Sequence, residues 1–133
     1  MAPRAWRPHR DRARLQRKSQ HWEAALTAFD SALDRARGKE DRIALWQEAA
    51  DTALEGKLLA RGQGYFAAMF TAEPRKPFLQ MEAAATLARR GYPRAALDAW
   101  LAVKDRVRGT LKHLVVVWRQ VATLQEELGD LLF

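Results

Sequence analysis

Residues able to carry chemistry are sparse in this sequence. Gly62-Gln-Gly64-Tyr-Phe-Ala67 fits the spacing Gly-x-Gly-x-x-Gly/Ala found around a dinucleotide pyrophosphate. That chemistry needs a strand before the glycines and a helix N-terminus after them, so that backbone N–H groups meet the phosphates. The residues before Gly62 read as helix and no βαβ unit is present, so these glycines are expected to pack or bend a helix. No phosphate loop of the form Gly-x4-Gly-Lys-Ser/Thr occurs. His9, His21 and His113 share no metal-ligand spacing. The chain has no cysteine, which excludes disulfides and thiolate metal sites. Ser19 and Ser31 belong to no nucleophile motif. Asp30 and Asp34 share a helix face, but Arg35 and Arg37 beside them make it a solvated face rather than an acid–base pair. No catalysis, cofactor or metal is expected.

Arginine is the exception. Arg10, Arg14 and Arg17 fall at i, i+4 and i+7, which is one helix face, and like charges so placed repel each other mildly. A docked anion would relieve that. The net charge of +7 is concentrated here: residues 1–18 carry seven basic side chains against Asp11 alone, and the rest of the chain is nearly balanced. Phosphates attract such clusters irrespective of sequence, so a nucleic acid or an anionic surface is one alternative partner. Trp6 is the only aromatic in this segment that could stack on a base.

The elements that position these residues read as helices throughout. Ala, Leu, Arg and Glu dominate, and all are good helix formers. The one β-branched cluster, Val115-Val116-Val117, has no second strand to pair with. Residues 1–7 are expected to form a flexible basic tail. Helices are expected at about 8–18, 21–37, 40–55, 57–71, 77–90, 93–108 and 110–132. Ser19 is the expected N-cap of the second helix. Gly38, Gly56, Gly91 and Gly109 are the expected stops, and Pro8, Pro77 and Pro93 the expected first-turn residues. The last stripe includes Leu114, Val117, Trp118, Val121, Leu124 and Leu128. No apolar run approaches the roughly 18 residues of a membrane span. The basic N-terminus is followed by no apolar stretch of a secretory signal, and a cytoplasmic protein is expected.

One figure recurs. Ala25, Phe29 and Ala32 lie at i, i+4 and i+7, as do Ala96, Trp100 and Val103, with Ala60, Gly64 and Ala67 as a weaker copy between them. These copies are 35 and 36 residues apart. The pattern resembles the tetratricopeptide-repeat family, in which Ala-x3-Phe opens the second helix of a repeat near 34 residues long. Trp22 fits the aromatic that opens such a helix. Trp46-x2-Ala49-Ala50-x2-Ala53 and Trp118-x2-Val121-Ala122-x2-Gln125 partly match the family's first-helix pattern. The resemblance covers residues 8–133. The second repeat departs most, because its matches from Trp46 and from Ala60 disagree by two residues. The resemblance implies an all-α fold of antiparallel helix-turn-helix repeats, about seven helices stacked as a short right-handed superhelix. At least three such units must stack to bury a core.

In that family the first helices line a concave groove that grips a partner segment. The resemblance then implies a non-catalytic adaptor for a protein or peptide. Its groove residues would be Arg10, Arg14 and Arg17 on the first helix, then Gln47, Asp51 and Leu54, then Met81, Ala85 and Arg89. The basic end suits an acidic partner. The family's clamp for the acidic tails of heat-shock chaperones needs asparagines, which this chain lacks. The last helix carries apolar residues all round, with Val115 on one side and Leu131, Leu132 and Phe133 at its end. An exposed apolar surface of that kind marks an interface, so a homodimer or other partner contact is expected there. A structural self-assembling unit is the remaining alternative.

Overall fold

Helices form because apolar residues recur at three and four residues, and each is closed by an identifiable backbone device. The computed structural model describes residues 5–107 and 111–129, apart from the side chains of residues 105, 107, 111 and 112. Within them the chain is all α. The elements are α1 (Arg7–Lys18), α2 (Trp22–Arg35), α3 (Lys39–Glu55), α4 (Leu59–Ala72), α5 (Pro77–Arg89), α6 (Pro93–Val107) and α7 (Leu111–Leu128). No strand occurs among the described residues, so the valine cluster is helical as expected. Contacts divide the chain into two units, Met1–Ala72 and Glu73–Phe133, where one domain from residue 8 was expected. In the first unit α1 packs on α2, α2 on α3 and α3 on α4. In the second, α5 packs on α6 and α6 on α7.

Three helices end in the same way. Gln20 N–H donates to Arg17 O and His21 N–H to Gln16 O at the end of α1. Lys57 and Leu58 do likewise toward Leu54 and Ala53 after α3, as do Gly91 and Tyr92 toward Ala88 and Leu87 after α5. Each is a Schellman ending, which needs a left-handed residue just past the helix. Those residues are Gln20, Lys57 and Gly91, with φ of 62°, 63° and 89°. Five residues beyond each stands a buried small residue: Ala25 and Ala96 at 0% exposure, and Gly62. Twelve residues before that small residue stands a fully buried alanine: Ala13, Ala50 and Ala84. Each hairpin is thus built to one internal measure.

That measure corrects the middle copy of the recurring figure. Ala60, Gly64 and Ala67 are all exposed. The buried triad is Gly62, Phe66 and Met69, two residues later, which removes the disagreement between the two halves of the second hairpin. Gly62 is there because α4 crosses α3 closely. A Cβ on it would stand 2.9 Å from Leu54 Cδ2 and 3.3 Å from the Ala50 carbonyl oxygen.

Three stop signals also move. Gly56 is the C-cap residue of α3, not its left-handed one. Gly38 is extended and caps the start of α3. Ser19 closes α1 and His21 stands at the N-cap of α2, without a side-chain bond. Trp6 belongs to no loose tail: it is 6% exposed at the start of α1 and takes the guanidinium groups of Arg7 and Arg10 at 5.6 and 5.2 Å from its ring. Burying that indole supplies the apolar contact that the weak sequence of α1 lacks.

Candidate functional site

The expected basic groove does form a face of the first unit, but its charges are already matched. Arg14 makes a fork to Glu48, with bonds of 2.6 and 2.9 Å. Arg17 donates to Asp51 at 2.9 Å and to Glu55 at 2.8 Å. Both arginines reach residues of α3 about one repeat length away in sequence. Arg10 bonds Asp11 beside it. Charge-assisted forks of this kind fix guanidinium planes firmly. Hydrogen bonding to Glu48 holds the Arg14 pKa above its usual value. Burial works against the charge of Arg17, and its bonds to Asp51 and Glu55 outweigh that and raise its pKa. A stripe expected to be free for an acidic partner is therefore an ion-paired seam between α1 and α3.

The other first-unit positions divide. Gln47 is half-buried, and Asp51 is occupied by Arg17. Leu54 is 2% exposed beneath Gly62 and belongs to the core, not to a groove. The two-residue slip explains this: α4 lies directly over the site. Beside the seam is a cleft of about 670 Å³, lined in part by Leu15, Lys18, Trp22 and Glu55. Its polar walls are largely engaged with one another. A second cleft, of about 540 Å³, contains Tyr65 and Asp30. There the Tyr65 hydroxyl donates to Asp30 at 2.7 Å, and Arg61 bonds Glu23 and the same hydroxyl. Burial and the Asp30 bond push the Tyr65 pKa up to about 12. His9 is half-buried, and burial, with Arg35 and Arg12 near it, lowers its pKa.

The second unit is different in kind. On α5, Phe78 is 49% exposed, Met81 is half-buried and Ala85 is exposed, at i, i+3 and i+7. Arg89 ends that row, exposed, with a weak bond to Thr86. On α7 the buried residues are Val117, Val121 and Leu124, with Leu114 and Leu128 half-buried in the same line. Spacing of three and four residues makes this one narrow stripe. Trp118, expected in that stripe, is instead 49% exposed, beside Val115 at 48%. Lys104 of α6 lies 5.3 Å from the Trp118 ring. Matching the buried Ala84 and Leu87 to Val121 and Leu124, 37 residues on, pairs Phe78 with Val115, Met81 with Trp118 and Ala85 with Ala122. Equivalent positions of α5 and α7 thus both present apolar groups to solvent.

Phe78 and Trp118 did not stand out in the sequence. Phe78 follows a helix-opening proline, where an apolar residue normally turns inward. Trp118 was masked by Val117, one residue away. Leu131, Leu132 and Phe133 lie outside the described residues. Among the described residues no group of three or more His, Asp or Glu side chains is arranged to hold a metal, and no helix is long and apolar enough to cross a membrane. No family model matches the sequence, and neither a curated protein nor a solved structure matches it.

Proposed function

We propose that the chain is a non-catalytic protein-binding module of the tetratricopeptide kind, acting in the cytoplasm, which takes a segment of a partner protein against the apolar rows of α5 and α7. One observation carries the reading: Phe78, Val115 and Trp118 are each about half exposed and stand at equivalent or neighbouring positions of two first-type helices. A large apolar group at the surface is ordinary when single, but a set in one pattern marks an interaction surface. The constant spacing inside the three hairpins supports the family resemblance, and the family's stacking would set such rows side by side as one groove wall. The partner contact is then aromatic and aliphatic, with Arg89 and Lys104 at its margin.

The basic first helix supports binding less directly. Its arginines already hold Glu48, Asp51 and Glu55, and Trp6 is too buried to stack on a nucleic-acid base. The test is affinity capture with the parent chain and with the double variant Phe78→Ser, Val115→Ser. The variant should keep the parent's helical content and melting temperature and lose the captured protein. Equal capture by both chains would remove the reading.

A further inference from the structure

We infer that α7 docks on a second copy of this chain, the two α7 helices running antiparallel about a two-fold axis that passes between Ala122 and Thr123. The inference rests on the reading of the outer side of α7 as a protein-contact surface, and names the protein.

The argument begins with what α7 leaves uncovered. Its inner side is fully spent on Val117, Val121 and Leu124, which are 0%, 1% and 2% exposed. Its outer side carries Val115, Trp118, Ala122 and Thr123, all exposed. Val115, Trp118 and Ala122 repeat at i, i+3 and i+7, so they form a line along one side. Lys104 approaches the Trp118 ring from α6, and half of the residue remains open. Ala122 and Thr123 are small, and small side chains at a crossing let two helix backbones approach closely.

Charge then selects the occupant and its direction. Arg119 stands three residues before Ala122, and Glu126 four residues after it, both exposed. Neither pairs with another charge among the described residues. Seven residues of helix separate them by roughly 10 Å, too far to pair within one chain. An antiparallel two-fold between residues 122 and 123 exchanges residue 119 with residue 126. It brings Arg119 of each copy to Glu126 of the other, twice, with Glu127 as a neighbouring carboxylate. A parallel pair would set Arg119 on Arg119 and Glu126 on Glu126, which repels at both ends. A two-fold contact is isologous and needs a patch that complements itself. This patch has opposite charges at equal distances from a small-residue centre, with Trp118 flanking the crossing on each side.

The test is sedimentation velocity of the full chain over a concentration series, with helical content checked by circular dichroism. The parent should pass from monomer to dimer. Arg119→Glu alone and Glu126→Arg alone each create two like-charge contacts, and each should weaken the dimer about tenfold or more. The double variant Arg119→Glu, Glu126→Arg restores both pairs with their signs swapped, and should recover the parent's dimer. A parent that stays monomeric at hundreds of micromolar overturns the inference, as does a charge-swapped variant no better than the single ones. These substitutions leave Phe78 and Val115 in place. A monomeric chain whose capture of a partner still depends on those two residues would therefore sink the self-pairing and leave the proposed function standing.

Discussion

The Trp22 indole lies flat against Gly56, so closely that a Cβ at residue 56 would come within 2.5 Å of Trp22 Cγ and 2.7 Å of Cδ2. The contact joins the first turn of α2 to the end of α3 and accounts for a glycine that no backbone angle requires, since Gly56 has an ordinary φ of −82°. Gly56→Ala should therefore destabilise the protein by about 1–3 kcal/mol, as overpacking does. In a Trp22→Ala background the same change should be nearly neutral. A denaturant-unfolding cycle on the four chains measures the coupling, and additive single effects would contradict the contact.

Gly56 also shows where sequence reading stops. A glycine after an apolar-periodic stretch signals a helix end, and α3 does end there. The reason differs: the left-handed position is taken by Lys57, and Gly56 is kept small by a tryptophan 34 residues earlier. Gly91 was legible because its φ of 89° is what glycine supplies locally. Seven helices, their prolines and the first and third buried triads followed from periodicity alone. The middle triad slipped by two residues because Gly62 packs by its lack of a side chain, which a search for alanine passes over. The ion-paired seam was invisible for a related reason. Periodicity shows that Arg10, Arg14 and Arg17 share a face, but not that Glu48, Asp51 and Glu55 of another helix stand opposite.

Trp6 anchors α1. Trp6→Ala should cost about 3 kcal/mol or more, within the range for buried aromatic truncations, although the residue lies at the very start of the first helix. Thermal melting of the purified variant reads it directly. A melting temperature equal to the parent's would mean that the indole contributes no packing.

Trp100 should behave alike in the second unit, where it is 3% exposed on α6. Trp100→Ala should lower stability by roughly 3–5 kcal/mol. Trp100→Phe should cost less, because the indole Nε1 has no hydrogen-bond partner to lose.

The seam between α1 and α3 should matter little to stability. Arg14→Gln removes a pair half open to water and should cost less than about 1 kcal/mol. Arg17→Gln removes two bonds from a less exposed guanidinium and should cost more, on the order of 1 kcal/mol. The gap between parent and variants should narrow in molar salt, as screening requires. If Arg14→Gln unfolds the chain at room temperature, the seam is more than a surface feature.

Tyr65 makes stability depend on alkaline pH. Its folded pKa is pushed up to about 12 from 10.0. Between those values the unfolded chain has released the phenol proton and the folded chain has not, so the folded state binds more protons. Stability from this group is full below pH 10 and falls as pH rises from about 10 to about 12. Tyr65→Phe should lose that part of the alkaline slope, measured as the difference between the two chains' unfolding free energies. Identical slopes would place the hydroxyl in water.

The equal internal measure of the hairpins bears on which changes of length this chain can survive. Left-handed residues fall at 20, 57 and 91, so successive hairpins are 37 and 34 residues apart, yet the distance from each turn to its small buried residue never varies. The surplus of three residues lies wholly in the link from α2 to α3. One residue added inside a hairpin turn would rotate the second helix by about 100° about its axis, carrying its buried triad away from the alanine it faces. The same residue added between Ala36 and Gly38 only lengthens a loop, at small entropic cost. Insertions and deletions in descendants of this sequence should therefore collect between hairpins and spare the turns at Gln20, Lys57 and Gly91. A peptide tag or a grafted loop belongs at residues 36–38.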